Sequence, residues 1–302
     1  MSTPITAAQV KELRDRTGAG MIDCKKALEA TGGDLDSAAE KLRIDGMAKA
    51  DKKGARTAAE GMIGVAVGGD AVALVEVNCE TDFVTKGADF QDLANSAAKL
   101  ALQHRPATLE ALLALSTDGH TLEQKRKALV AKIGENMTVR RFEVVSKPAG
   151  GSIAHYLHGV RIGVAIALKS GDAELARDLA MHIAASAPRF VDAAAVAADV
   201  IAAERKVVEA QVAQEQADEA AAGKKPKPAE IVAKMVDGKL RKFIEEITLL
   251  GQKFVKDPEQ TVEKLLKAKG GAVAGFARLA VGEGIEKKQT DFAAEVAAAS
   301  KG

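Results

Sequence analysis

The spacing of apolar residues changes character along this chain, and each change marks a different kind of element. From Ile5 to Leu42 the spacing is helical. Thr6 reads as an N-cap with Gln9 as its reciprocal partner, and Ile5 packs on Val10 as a staple. The first helix runs to about Arg16, ahead of Thr17-Gly18-Ala19-Gly20. The second puts Met21, Cys24 and Leu28 on one face and stops at Gly32-Gly33; the third starts at Asp34 and presents Leu35, Ala38 and Leu42. Beyond it, Lys49, Lys52, Lys53 and Arg56 surround Asp51, the composition of a solvated basic connector.

From Gly61 the period becomes that of strands. Apolar β-branched residues flank Gly68-Gly69-Asp70, which predicts a hairpin of 63–67 with 72–77. The same order returns with 152–157, a turn at His158-Gly159, and 162–168. A helical pattern follows each hairpin, first with Phe90, Leu93, Ala97 and Leu100, then with Leu175, Leu179 and Ile183; further strands are predicted at 138–145 and 272–281. Between 192 and 249 the composition shifts to Ala, Val, Glu and Lys. Val196, Val200, Ala203 and Val207 share one stripe, and after Gly223-Lys224-Lys225-Pro226-Lys227-Pro228 a return helix turns Val232, Met235, Phe243 and Ile247 inward. Two readings of this helical hairpin stay open: a dimerisation arm, or a hairpin that packs only on its own core. A short connector at Asp257-Pro258, a helix over 260–267 and an Ala-rich helix over 291–299 complete the chain, the last one stable only when docked.

The predicted fold class is therefore α+β: an N-terminal three-helix module, a core of two related subdomains with antiparallel sheets and helices, a protruding antiparallel helical hairpin and a C-terminal helix. The expected divisions are 1–55 for the three-helix module, 56–146 for core subdomain one, 147–191 with 250–282 for subdomain two, 192–249 for the hairpin and 283–302 for the C-terminal module.

One stretch breaks the pattern. At Asn78-Cys79-Glu80-Thr81-Asp82-Phe83-Val84 an apolar run ends in a polar turn that carries a Phe beside Thr81, Asp82 and Lys86. With eight Phe, one Tyr and no Trp, a chain this poor in aromatics would be expected to bury each one. Either Phe83 projects from the end of a sheet, on a rigid base, or Thr81 or Asp82 caps the next helix while Phe83 folds back into the core. Thr290-Asp291-Phe292 repeats the tripeptide where a helix cap accounts for it, so the tripeptide alone decides nothing.

Composition narrows the function. Forty-three Lys plus Arg against 42 Asp plus Glu give a net charge of +1, which offers no field for a polyanion, so direct nucleic-acid binding is not expected. Cys24 and Cys79 are the two thiols, without paired spacing and with no His at a metal-ligand interval, which argues against a disulfide framework, a metal site or a cofactor anchored on them. Cys24 fits a small core position. No apolar run is long enough for a membrane span, and the first ten residues have neither a secretion nor a transit layout; a cytoplasmic location is the expectation. Among the five His, His182 falls on the apolar stripe of its helix and reads as a satisfied core residue. His158 at a hairpin tip serves either a contact or a structural turn. No nucleophile elbow or phosphate-cradling loop is present, and Gly282-Glu283-Gly284 reads as a turn, so no catalytic residue is assigned and an enzyme is not expected.

Two stretches, Arg14-Asp15-Arg16-Thr17-Gly18-Ala19-Gly20-Met21-Ile22-Asp23-Cys24-Lys25-Lys26-Ala27-Leu28 and Val77-Asn78-Cys79-Glu80-Thr81-Asp82-Phe83-Val84, resemble the signature segments of bacterial elongation factor Ts. The resemblance continues through Lys132-Ile133-Gly134-Glu135-Asn136, His158-Gly159-Val160-Arg161-Ile162-Gly163-Val164 and Met181-His182-Ile183-Ala184-Ala185. Near the end, Val281-Gly282-Glu283-Gly284-Ile285-Glu286-Lys287 and Thr290-Asp291-Phe292-Ala293-Ala294-Glu295-Val296 extend it over nearly the whole chain.

This resemblance implies a non-enzymatic guanine nucleotide exchange factor for elongation factor Tu in translation elongation, one that needs no cofactor. It also implies an N-terminal module of the ubiquitin-associated type. In the family the stretch corresponding to Thr81, Asp82, Phe83 and Val84 inserts into the partner's nucleotide domain and disturbs the region holding Mg²⁺ and phosphates. Carried over by motif, Arg14, Met21 and Ile22 would contact that domain, Ile133 and Gly134 would flank the inserted Phe, and His158 would meet another partner domain. The expected partner is elongation factor Tu in its GDP-bound and nucleotide-free forms, with a homodimer through the helical arm as a further contact. A dimeric adaptor or holdase, with no effect on nucleotide, is the competing reading from another class.

Overall fold

The computed structural model describes residues 4–225 and 227–286. The fold is α+β and divides into two compact units. One gathers the described residues of 1–144, 157–163 and 279–302, and the other 145–156 and 164–278. The helix expected at 291–299 and the tripeptide 290–292 lie outside the described residues.

The first unit opens with α1 (Ala7–Thr17), capped as the sequence requires: the Thr6 side chain accepts from the Gln9 amide and the Gln9 side chain accepts from the Thr6 amide. The helices α2 (Met21–Ala30) and α3 (Leu35–Lys53) follow, with the Asp34 carboxylate accepting from the Ser37 amide at 2.7 Å to start α3. Val10, Leu13, Cys24, Ala27, Leu28 and Ala38 form their shared core, and Ile5 packs against it. Met21 departs from the expected stripe, being 51% exposed at the first position of α2 while Cys24 and Leu28 are fully buried.

Of the basic connector predicted around Asp51, Lys49, Lys52 and Lys53 instead lie in the last turns of α3, and Arg56 follows the helix end. No breaker stops the helix before its C-cap Gly54, and Gly46 lets it approach the neighbouring helix closely, an added Cβ there lying 3.0 Å from that of Ala131. Lys49 pairs with Asp23 at 3.1 Å and Asp51 with Lys127 at 2.7 Å. Ala50 enters the large hydrophobic core behind the sheet.

That core is built by β1 (Glu60–Val67), β2 (Ala71–Cys79), α4 (Ala88–His104), α5 (Leu109–Ala114), the two-residue strands β3 (Ser116–Thr117) and β4 (His120–Thr121), α6 (Leu122–Ile133) and β5 (Met137–Ser146). The sheet order is β1-β2-β5, and Val67 pairs with Val72 across the expected turn. Every residue of the central strand β2 is buried. On one face Ala73, Val75, Val77 and Cys79 pack with Phe90, Leu93, Ala97 and Leu100 of α4. On the other, Gly163 comes down on Ile63 and Leu74 so closely that an added Cβ would sit 2.6 Å from an Ile63 methyl.

The second unit carries most of the sheet β10-β7-β6, formed by β6 (Ser152–His158), β7 (Ile162–Ser170) and β10 (Ala272–Ala280), with the helix α7 (Ala173–Ser186), one face of which is buried. The helical hairpin is α8 (Ala198–Ala221) and α9 (Ala229–Ile247). Its base is closed by backbone bonds from Arg189 to Ile247, from Leu249 to Phe190 and from Leu250 to Val191. The short strands β8 (Lys253–Phe254) and β9 (Asp257–Thr261) and the helix α10 (Val262–Ala268) complete the unit.

The buried stripe of α8 is shifted by one residue from the predicted one. Val208 and Val212 are buried against Val236, Val232 and Met235, while Val207 is 49% exposed. In a helix where Ala and Val occur on every side, periodicity does not fix the phase; the larger apolar residues of α9 do.

Candidate functional site

The turn after β2 settles the two readings of Phe83. It does not fold back: the ring is 76% exposed, and the N-cap of α4 is Gly87, neither Thr81 nor Asp82. A single 3-10 turn over Val84–Lys86 follows Phe83. Val84 and Thr85 are buried in that turn, Val84 within the core that contains Phe90. The two residues anchor the backbone from inside while Phe83 stands out on the solvent side. The Lys86 ammonium lies 5.7 Å from the ring centroid.

Hydrogen bonds tie the turn from both directions. The Asp82 carbonyl accepts from the Thr85 amide at 3.2 Å and from the Thr85 hydroxyl at 2.6 Å, and the Gln91 side-chain amide donates to the Thr85 carbonyl at 3.1 Å. From the loop after α6, Glu135 accepts from both the Thr81 amide, at 2.9 Å, and the Thr81 hydroxyl, at 2.7 Å. Next to it the Asn136 amide donates to Glu80 at 2.6 Å, and the Asn136 side chain donates to the Arg56 carbonyl at 2.7 Å. The buried Cys79 thiol donates to the Thr81 carbonyl at 3.0 Å, and burial, with the nearby Glu135 and Glu60 charges, pushes its pKa up to about 12. Such a thiol stays protonated and is a structural donor, not a nucleophile.

Behind the turn, β2 contains a fully buried carboxylate that the apolar pattern of the strand does not anticipate. Glu76 receives Arg140 at 3.1 Å, Arg141 at 2.5 Å, the Gly282 amide at 2.8 Å and the Asn78 side chain at 3.0 Å. Burial alone would raise its pKa, but the Gly282 amide, Arg141 and Asn78 outweigh it and hold the carboxyl below its ordinary value. Glu76 thereby ties the 282–284 turn to the sheet. A Cβ on Gly282, whose φ is +75°, would meet the Ala59 carbonyl at 2.4 Å, which explains the glycine.

The other residues expected to contact a partner are all in this unit. Arg14 is exposed on α1, and Met21 and Ile22 are 51% and 72% exposed on α2. The α1–α2 turn abuts α6, where a Cβ on Gly18 would lie 3.3 Å from Lys132. Ile133, next to Lys132, is 38% exposed and ends α6; Gly134 follows in the left-handed conformation, φ +90°, its carbonyl receiving Lys53 at 2.5 Å. Through Glu135 this same loop reaches Thr81. His158 is exposed at the end of β6, on a segment held to β1 by the bond from the Ile63 amide to the Val160 carbonyl and by the Arg161–Glu60 ion pair. Periodicity did not find Glu135 or Asn136. Their partners lie more than fifty residues away in sequence, so no local pattern records them.

The chemistry available for turnover is sparse. His182 is fully buried, with one ring nitrogen accepting from the Val255 amide at 3.2 Å and the other facing the Gln252 side chain at 2.9 Å. Burial lowers its pKa, partly offset by the Gln252 bond, so it is the satisfied neutral core residue its stripe position suggested. Burial likewise raises the Cys24 pKa. Among the described residues no group of three or more His, Cys, Asp or Glu could hold a metal ion, and no helix is long and apolar enough to cross a membrane.

Fold and site together define an α+β protein that displays an aromatic side chain on an anchored turn at the end of a sheet, and sequence comparison gives the particular family. Residues 80–283 match the family described as Elongation factor TS. The chain is 53% identical over 300 residues to elongation factor Ts of Thioalkalivibrio sulfidiphilus (strain HL-EbGR7), covering 99% of each. It is 56% identical over 297 residues to elongation factor Ts of Methylococcus capsulatus, covering 97% of this chain and 98% of that one. The chain belongs to the elongation factor Ts family.

Proposed function

We propose that the chain is a guanine nucleotide exchange factor for elongation factor Tu that acts without chemistry of its own. It binds the GDP-bound partner, releases GDP and holds the nucleotide-free form. The observation that carries this reading is Phe83, 76% exposed on a turn anchored by the buried Val84 and Thr85. Asp82 and Phe83 are the part of the stretch that enters the partner, and Val84 keeps the base from yielding. A ring driven beside a bound nucleotide displaces the groups that hold Mg²⁺ and phosphate. Once the cation no longer neutralises the phosphates, their repulsion weakens binding.

Burying one Phe is worth about 1.5–3 kcal/mol. At about 1.4 kcal/mol per decade this amounts to roughly one to two powers of ten in nucleotide affinity. Efficient exchange needs more, so the exposed Met21 and Ile22, with Arg14, Ile133, Gly134 and His158, share the partner contact in this proposal. Linkage makes the effect reciprocal: nucleotide expels the factor as strongly as the factor expels nucleotide. The exchange is proposed to take place in the cytoplasm.

Stopped-flow release of fluorescent GDP from elongation factor Tu, with and without the chain, tests the reading. Acceleration at substoichiometric amounts is expected; an unchanged rate rejects it. Replacing 193–246 by a short Gly-Ser turn leaves the backbone pairing at the base of the hairpin in place. Much of the acceleration should survive this excision, whereas an adaptor that works through the arm would lose its activity.

A further inference from the structure

Two oxygens of one carboxylate hold the residue two places before Phe83. Glu135 accepts the Thr81 amide at 2.9 Å and the Thr81 hydroxyl at 2.7 Å, a bidentate grip across 54 residues of sequence. It holds the exposed Thr81 from outside the turn by two bonds, where the Cys79 thiol and Thr85 hold the Thr81 and Asp82 carbonyls from within. The loop that carries Glu135 is itself held: Lys53 at the end of α3 donates to the Gly134 carbonyl, and Asn136 is bonded to Glu80 and Arg56.

We infer that Glu135 is a positioning residue for exchange, acting through Thr81 to fix the direction in which Phe83 leaves the surface. The inference rests on the proposed role of Phe83 and adds to it a residue that does not enter the partner. A side chain on a short turn loses insertion efficiency when the turn can rock, because each misdirected orientation must be corrected during docking at an entropic cost. The lysine and asparagine bonds make the loop a link from α3 to the turn, so the three-helix module and the projecting ring share one frame.

A positional role and an electrostatic one predict different outcomes on charge removal. In Glu135→Gln the carboxamide oxygen still accepts the Thr81 amide and its NH₂ donates to the Thr81 hydroxyl, so both contacts persist without the charge. In Glu135→Ala both are lost. The experiment is release of a fluorescent GDP analogue from elongation factor Tu at saturating full-length chain, for the wild type, Glu135→Ala, Glu135→Gln, Phe83→Ala and the Phe83→Ala/Glu135→Ala double variant, with circular dichroism confirming the fold of each.

Loss of two charge-assisted bonds in a partly exposed position sets the expected slowing for Glu135→Ala at about fivefold. Glu135→Gln should stay within about twofold of wild type, and the double variant should be no slower than Phe83→Ala alone. An unchanged Glu135→Ala rate, a Gln variant as slow as the Ala variant, or a full additional loss in the double variant each overturns the inference while leaving the role of Phe83 intact. A Phe83→Ala rate equal to wild type overturns the Phe83 role and this inference with it.

Discussion

At the residue scale, Glu76 and His182 are both fully buried, yet their surroundings favour opposite charge states. Glu76 is charged in the interior because two arginines, a backbone amide and an asparagine meet it. His182 is held toward its neutral form by burial; the Val255 amide donates to one ring nitrogen, and the Gln252 side chain facing the other partly offsets the shift. The pKa of His182 is lowered in the folded chain, so the unfolded chain binds the proton more readily. Its contribution to stability is complete above the unfolded value near 6.5 and is lost as pH falls through that value toward the lower folded one. Urea titrations between about pH 7.5 and 5.5 should therefore show stability falling with pH, and His182→Gln should flatten that slope. An identical slope in the variant would show that another group governs the window. The burial of His182 was legible in its helical stripe. Glu76 was not, because a Glu within an apolar strand announces its partners only when Arg140, Arg141 and Gly282, distant in sequence, are brought to it.

At the element scale, β1 and α4 of the first unit approach closely. Gly64 faces the Ala94 carbonyl, and an added Cβ would lie 2.4 Å from that oxygen. The atom it meets is backbone, so the helix must move to make room. Gly64→Ala is expected to cost about 1–3 kcal/mol, measured by urea unfolding. A change near zero would mean that α4 rides on the sheet more loosely than this contact implies. The hairpins, the strand at Met137–Ser146 and the capping box at Thr6 were legible in the sequence because each is written in neighbouring residues. Where two helical phases carried similar apolar content, tertiary contacts decided. Met21 was placed with Cys24 and Leu28 by spacing alone, yet it begins its helix and faces solvent. The valines of α8 slipped by one position for the same reason, since the face buried is the one that meets Val236 and Met235 of α9. The end of α3 carries the composition of a connector because Lys49 and Lys52 are exposed, yet the helix continues to its Gly54 cap, with Ala50 buried and Lys53 donating to the Gly134 carbonyl.

At the scale of the whole molecule, the singled-out surface residues all fall within one compact unit, and that unit carries the turn with Phe83. The sequence marked Phe83 through the abrupt end of an apolar strand, and the resemblance supplied the residues around it. Glu80, Glu135 and Asn136 stood within the resembling segments, but their role as struts was not legible, because they meet only after folding. The account turns on an aromatic ring displayed on a base that does not give way. The most direct test is the rate of labelled GDP release from elongation factor Tu at saturating Phe83→Ala. It should be at least about tenfold slower than with the wild type, the lower bound set by burying one Phe side chain, with an unchanged circular dichroism spectrum. Release as fast as with the wild type would contradict the account.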